Sequence, residues 1–596
     1  MAEQLRDDYA ADHFAGKRAA DNPPECDLVM KGGITSGIVY PYAIMELAGK
    51  YRFRSIGGTS AGAIAAAFTA AAEYARQSGD DAGFLRLKAR AEQLPSIMLS
   101  LFQPSRPLAG LMNFLLRALP GGVGGVILWA PLSFWLSSLI GIGLGGGLIW
   151  WLGGGWAGSA LGALVGLIIA LAVRIGLMVK SDIPKNGFGI CTGLRQPGAK
   201  GPALTDWIYE SLQEIAFGDA KAARPLTFGD LWSAGQAARP VSPVIELRAV
   251  TTDLSMGRPR SLPELDEGFR FEPPAWARLF PAPVMTYLLG LDSSTVDPAS
   301  DDNLPKFPGP DDLPVIIAVR MSLSFPFLFT TVPTRFRDIG LYMMAKDQEG
   351  TIDPIDIPDP KIRIRDVLFT DGGLTSNFPI TFFDSLLPRR PTFALSLDNL
   401  DPGMKPDKGR VYLPHGAAGG AFWAIDAIKD LGAFIGAIMQ VPRGWQDQMM
   451  STMGAQRERV ARVYLDPATE GGLNLGMPAA LSRKLMGYGQ VAGRKIVAEF
   501  DFDEHRWRRA LVAYEKLERE IEIAHQTWDE AGYGAWFEEY LPDVESYREV
   551  TLEQRHKIHA RLGALAATAK TFDPPIPGKD KHFPRPPGSL RIAPKI

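Results

Sequence analysis

Tyr51-Arg52-Phe53-Arg54-Ser55-Ile56, Gly57-Gly58-Thr59-Ser60-Ala61-Gly62 and Ala63-Ile64-Ala65-Ala66-Ala67-Phe68-Thr69-Ala70-Ala71-Ala72-Glu73 read in succession as strand, tight turn and helix. Tyr51–Ile56 alternates along a strand, and the alanines after Gly62 are the strongest helix formers. Gly58-Thr59-Ser60-Ala61-Gly62 matches G-x-S-x-G, the elbow that lifts a serine hydroxyl off the end of a strand. The two glycines remove side chains that would strike the neighbouring strand and helix. The helix start behind Ser60 offers free N–H groups and positive potential to a developing negative charge. A glycine-rich turn in which Ser60 only caps the helix has the same spelling.

Upstream, Asp27-Leu28-Val29-Met30 reads as a buried strand. It runs into Lys31-Gly32-Gly33-Ile34-Thr35-Ser36-Gly37 and an apolar helix from Ile38. Amides in such a turn can converge on one point, as an oxyanion hole requires. The turn is not a P-loop, because its lysine precedes the glycines and no GK[ST] follows. A serine nucleophile needs a base, usually histidine. From His415 onward the histidines lie mostly in charged, helix-like sequence and read as solvated. Asp366-Val367-Leu368-Phe369-Thr370 instead reads as a strand that delivers Asp371-Gly372-Gly373 to its end, where open α/β sheets bind ligands. Asp371 there can take the Ser60 proton directly, or the stretch can be a plain Asp-Gly turn.

The 596 residues allow two to four domains, and the near balance of 63 basic and 66 acidic residues argues against a nucleic-acid binder. Two cysteines, Cys26 and Cys191, cannot supply a disulfide scaffold or a cysteine zinc site. Met1 to Asp27 has mixed charge and no apolar run, so no signal peptide is expected there. Ala118 to Val173 contains no charged side chain over 56 residues, enough for two membrane spans and a connector. The spans are expected near Val123–Ile142 and Trp156–Val173. A glycine-rich connector lies between them, with Trp150, Trp151 and Trp156 at an interface. Arg117 before, and Arg174, Lys180 and Lys185 after, place both ends in the cytoplasm by the positive-inside rule. A buried helical hairpin in a large soluble core or oligomer is the alternative. The glycines also allow close helix packing, including self-association.

The glycine turn Gly32–Gly37, the elbow Gly58–Gly62 and the Asp371-Gly372-Gly373 turn occur in the order found in patatin-like phospholipases, which this sequence resembles over about Asp27–Leu397. Ala249-Val250-Thr251-Thr252-Asp253-Leu254 is similar to that family's central strand, and Arg320-Met321-Ser322-Leu323-Ser324-Phe325-Pro326 to its short Ser–Pro helix. The resemblance implies a three-layer α/β/α sandwich with a mostly parallel sheet, and glycerolipid acyl esters as substrates. It implies a catalytic pair, Ser60 and Asp371, supported by Gly58, Gly62, Gly372 and Gly373. The oxyanion hole would come from Gly32, Gly33 and Ile34, and no metal or cofactor is required. The family's turn usually has a third glycine and a basic residue, where this chain has Ile34 and Ser36; Lys31 then stands as the substitute charge.

The expected organisation is an extension over 1–26, a catalytic domain over 27–400 interrupted by the hairpin at 118–179, a helical region over 401–571 and a Pro/basic tail over 572–596. Ala421–Val441 carries Asp426, Lys429 and Asp430, which favour an amphipathic or core helix over a third span. Trp507–Ala531 and Thr551–Thr571 have helical periodicity. The expected partners are a membrane and its acyl-ester lipids, with no nucleic acid. Two other functions fit the same sequence: a non-catalytic membrane scaffold or pore-like assembly built by hairpin packing, and an acyltransferase on the same fold.

Overall fold

Leu28, Val29 and Met30 are apolar in succession, and a strand made of them must be covered on both faces. Leu28 and Met30 point into the larger hydrophobic cluster and Val29 into a second, smaller one on the opposite face. The structure, a computed structural model, describes residues 5–576 except 6, 19–20, 34, 119–121, 292–303, 338–363, 402–408, 416–427, 429–430, 468, 472–473, 475 and 544–548. Its strands are β1 (Glu25–Met30), β2 (Arg52–Thr59), β3 (Gly189–Cys191), β4 (Glu246–Asp253), β5 (Arg258–Leu262), β6 (Phe269–Arg270), β7 (Phe327–Phe329), β8 (Val332–Arg337), β9 (Ile364–Asp371), β10 (Thr392–Asn399), β11 (Val411–Tyr412) and β12 (Val460–Leu465). Ten of them form one sheet in the order β11-β12-β10-β1-β2-β4-β9-β8-β6, with β5 also on β4, while β3 and β7 make a separate ribbon.

The sheet is mixed. The central block β12-β10-β1-β2-β4 is parallel. The flanking pairs β11–β12, β4–β5, β4–β9, β8–β9 and β6–β8 are antiparallel. The expectation of a mostly parallel sheet therefore holds for the centre alone. The reason is connection length: Leu254–Gly257 between β4 and β5 can join only antiparallel neighbours.

The larger cluster lies under the helices Tyr40–Ala48, Ala61–Gln77, Leu204–Phe217 and Val315–Ser322. On the other face Phe378, Ile380 and Phe383 cover the sheet, and Met450 of the helix Leu431–Thr452 packs with them. The fold also runs past position 400. β12 extends the parallel block, and the helix Ala479–Glu499 packs so closely on Tyr40–Ala48 that a Cβ at Gly489 would collide with the Val39 carbonyl. The helical region expected over 401–571 also contains a strand, since Val460-Ala461-Arg462-Val463-Tyr464-Leu465 is fully buried in the sheet. The expected tail lies almost wholly outside the described residues.

The charge-free segment differs in detail from its expectation. Gly155–Lys185 is one continuous helix long and apolar enough to cross a membrane. The first expected span, Val123–Ile142, is not one rod. Helix Gly122–Ser133 ends next to Phe134, and Trp135–Trp151 leaves at 90° to it. Phe134 has left helical geometry, three residues after the helix-breaking Pro131. Of the glycines expected in a connector, Gly153 and Gly154 lie in the turn between the helices, while Gly141, Gly143, Gly145, Gly146 and Gly147 lie inside Trp135–Trp151. A Cβ at Gly141 or Gly145 would collide with the carbonyl of Gly166 or Gly162, and the reverse holds, so the four glycines let Trp135–Trp151 and Gly155–Leu177 pack backbone against backbone. These four are used within the hairpin. Ile127, Leu144, Trp151, Trp156 and Leu161 stand exposed, so the segment is not buried in the core of this chain.

Candidate active site

Ser60 follows β2 directly and has φ 56° and ψ −127°, a conformation that only glycine adopts freely. A Cβ on Gly58 would overlap the Gly62 carbonyl, and one on Gly62 would overlap the Met30 carbonyl. The G-x-S-x-G glycines are therefore demanded by the closeness of β1 to the helix start. The buried Ser60 N–H donates to Ser322 Oγ at 3.0 Å, which holds the elbow in its strained shape.

Asp371 ends β9 and is buried. In register, Thr59 of β2 pairs with Val250 of β4, and Thr251 of β4 pairs with Asp371. Ser60 and Asp371, 311 positions apart in sequence, thus flank β4 at one level, with strand axes about 10 Å apart. Gly372 fits this approach, since a Cβ there would collide with the Val250 carbonyl and crowd Thr59. Asp371 Oδ1 accepts from the Gly373 N–H at 2.8 Å, and the Asp371 N–H donates to the Ser324 carbonyl at 3.0 Å.

One segment, Arg320–Ser324, therefore touches both residues: Ser322 holds Ser60 and Ser324 holds Asp371. Arg320 sets that segment. Its guanidinium is completely enclosed and donates to Ser324 Oγ and to the carbonyls of Thr192 and Thr330. Burial pushes its pKa down to about 10, still well above neutrality. On the far side, Asp447 Oδ2 accepts from Ser376 Oγ at 2.9 Å and from the Phe378 N–H at 3.0 Å, fixing the loop after Asp371. Burial raises the Asp447 pKa. Sequence reasoning missed Asp447, because nothing in the spelling of a helix 76 positions later ties it to this loop.

The glycine turn departs from its expected role in two respects. The Gly32 N–H donates to the Asn377 carbonyl at 2.7 Å, so it is committed to holding the turn against the Asp371 loop. Gly33 presents its carbonyl, which accepts from Ser60 Oγ at 3.1 Å and from the Ala61 N–H at 3.4 Å. Ile34 lies outside the described residues. Lys31 lends no charge to the hydroxyl either. Its Nζ pairs with Asp398 at 2.6 Å, and Arg462 takes the other oxygen at 2.9 Å. Burial alone would raise the Asp398 pKa; Lys31 and Arg462 outweigh it and bring the carboxyl down to about 2.

Ser60 opens on a narrow cavity of about 100 Å³. Among the described residues, Ser60 and Thr35 supply its hydroxyls; Ile64, Phe68, Leu101, Phe102, Trp207 and Phe329 are among the apolar walls. Such a space suits a hydrocarbon chain and offers nothing to a charged ligand. Among the described residues, no group of three or more His, Cys, Asp or Glu side chains could hold a metal ion.

A strained serine at a strand–helix junction, over an apolar cavity in an α/β sheet, is the arrangement of a lipid hydrolase domain. The family model for patatin-like phospholipases matches residues 28–123, and the chain belongs to that family. A Rhizobium meliloti (strain 1021) protein named RpoH suppressor is 34% identical over 650 residues, spanning 96% of this chain and 98% of its own length. Among solved structures, VipD from Legionella pneumophila aligns with 12% identity and a TM-score of 0.28, covering 94% of this chain and 89% of its own. ExoU in complex with SpcU from Pseudomonas aeruginosa aligns with 16% identity and a TM-score of 0.23, covering 92% and 69%.

Proposed function

We propose that the protein is a membrane-anchored lipid acyl hydrolase in which Ser60 is the nucleophile and Asp371 the base. The observation that carries this reading is the Ser60 hydroxyl, raised on a strained elbow at the head of an apolar cavity and one strand away from a buried carboxylate. Asp371 takes the hydroxyl proton as Ser60 Oγ attacks the ester carbonyl. The tetrahedral oxyanion is received by the Ala61 N–H at the start of its helix, so the Gly33 carbonyl that now accepts from that group turns aside when substrate binds. Collapse expels the alcohol, which takes the proton from Asp371. Water, deprotonated by Asp371, then splits the acyl-enzyme to fatty acid and free Ser60.

The anchor in this reading is the hairpin. Gly155–Leu177 spans about 35 Å and Trp135–Trp151 about 26 Å, against about 30 Å of hydrocarbon. Helix Gly122–Ser133 then lies along the interface, Trp150 and Trp156 mark the far side, and the basic flanks keep the hydrolase domain in the cytoplasm.

The test is a product profile on phospholipid vesicles, with a fluorophosphonate probe alongside. Wild-type protein releases fatty acid and is labelled at Ser60, while Ser60→Ala and Asp371→Asn do not release it. Equal fatty-acid release from all three proteins overturns the reading.

A further inference from the structure

Two bulky residues, Phe188 and Phe327, have φ of +62° and +65°. Phenylalanine adopts that region only at a cost, because its Cβ crowds the backbone there. Both rings are turned outward, with Phe188 46% and Phe327 72% exposed. They are also neighbours. Phe188 immediately precedes Gly189, the residue of β3 that pairs with Phe327 of β7. The ribbon is tight, since a Cβ at Gly189 would collide with the β7 backbone. Strain borne in order to show two aromatic rings to the outside has no account in the packing of the domain.

The ribbon's position supplies one. Leu328 and Phe329, next along β7, are walls of the Ser60 cavity. On the other side, β3 is where the chain returns from the hairpin, through the exposed Leu177 and Val179. The outgoing chain passes the same point: Phe102, another cavity wall, meets Phe329 at a tilt with ring centroids 5.6 Å apart, and Pro104 bridges to Cys191. The neck of the hairpin, the two exposed phenylalanines and the cavity walls thus lie side by side, with Lys180, Asp182 and Lys185 on the returning chain between Val179 and Phe188.

We infer that Phe188 and Phe327 form a bilayer-inserted sill, across which a membrane lipid passes its acyl chain sideways into the Ser60 cavity. The occupant is the acyl region of the bilayer that holds the hairpin, because Phe188 follows the hairpin's last helix within three residues of Lys185 and Phe327 pairs beside it, both exposed next to the cavity walls Leu328 and Phe329. The inference rests on the reading of Ser60 as the nucleophile of a lipid hydrolase and adds the route of the substrate.

Full-length protein reconstituted in dioleoylphosphatidylglycerol vesicles tests it, with p-nitrophenyl butyrate as a soluble ester that needs no sill. The double variant Phe188→Gly, Phe327→Gly relieves the strained positions, so it is expected to melt within about 4 °C of wild type. It keeps butyrate hydrolysis within twofold while fatty-acid release from the vesicles falls about tenfold, the factor for about 1.4 kcal/mol of lost lipid engagement. Vesicle hydrolysis at the wild-type rate overturns the sill. A wild type in which neither substrate depends on Ser60 overturns the hydrolase reading instead. If the double variant misfolds, Phe327→Cys carrying an environment-sensitive fluorophore decides. A blue shift and protection from an aqueous quencher in protein-free vesicle lipid support insertion, whereas a probe that stays in water, or is covered only when a second protein is added, refutes it. Cys26 and Cys191 are buried and do not compete for the label.

Discussion

Removing the Ser322 hydroxyl separates the strain in the elbow from the stability of the fold. The Ser60 N–H and Ser322 Oγ meet at 3.0 Å, and both residues are almost completely buried. In Ser322→Ala the N–H loses its acceptor, and an unsatisfied buried amide costs about 1–3 kcal/mol. Ser60 meanwhile holds about 1–3 kcal/mol of backbone strain at φ 56°. The two quantities are of equal size, so the cheaper response is for the elbow to relax toward an ordinary dihedral and surrender its strain. Stability then falls by less than about 2 kcal/mol, but the hydroxyl leaves its place, and a displacement near 1 Å costs about a hundredfold in rate. The expected result is a drop in kcat of about that size with KM nearly unchanged, because the cavity walls are untouched. Kinetics on a soluble ester measure the first quantity and denaturant unfolding the second. Ser322→Cys, which keeps a weak acceptor in a similar volume, should recover part of kcat. Wild-type kcat in Ser322→Ala would show that the elbow is held by something else.

Two further outcomes follow from packing and charge. Burial, reinforced by Arg459 and Arg509, holds the His505 pKa down to about 3 from its ordinary 6.5. The folded state thus keeps His505 neutral where the unfolded chain binds a proton, so its contribution is complete above pH 6.5 and is lost as the pH falls toward 3. By pH 5 this amounts to about 2 kcal/mol. Thermal melts at pH 7.5 and 5 should show that loss in wild type and less of it in His505→Leu; equal losses would mean that the ring is protonated in the fold. In the hairpin, Gly166→Ile forces apart helices that touch through the Gly141 carbonyl and should lower the melting temperature in detergent, at a cost of about 1–3 kcal/mol. Gly147→Ile, with nothing near its added Cβ, should leave it unchanged.

The parts of the site that the sequence spelled are those built from one continuous stretch. Strand, elbow and helix around Ser60 need only alternation, two glycines and an alanine run. The β1 strand and the Asp371 turn were legible for the same reason. The parts that stayed hidden depend on contacts between distant stretches. The spelling Gly32-Gly33 suggests converging amides, but whether an N–H or a carbonyl faces Ser60 is decided by Asn377, which claims the Gly32 N–H from 345 positions away. Lys31 looked like a spare charge because Asp398 and Arg462 stand on two other strands of the sheet. The hairpin glycines looked like a connector because composition gives their number but not their spacing across a helix pair. β12 was overlooked since Val460–Leu465 is short and flanked by charged, helix-like text.

The insertion point of the hairpin explains how one sheet tolerates it. The chain leaves the domain after Phe102 and returns at β3, and these two points are joined: the Ser105 N–H donates to the Ile190 carbonyl at 3.0 Å beside the Pro104–Cys191 bridge. The domain therefore meets the insert as a loop closed at its neck, and lengthening such a loop costs only about 0.6 kcal/mol per doubling. Arg174 seals the neck from the hairpin side, pairing with Asp182 at 2.6 Å and donating to the Pro107 carbonyl at 2.8 Å. Arg320 seals it from the domain side by taking the Thr192 carbonyl just past β3. The same guanidinium donates to Ser324, whose carbonyl holds Asp371. The neck of the hairpin and the carboxylate are thus anchored on one buried cation. One guanidinium joins the carbonyl just past β3 to the segment that holds Asp371, while the Ser60 elbow is held through Ser322 of that same segment, so a change in the neck reaches both residues through Arg320–Ser324.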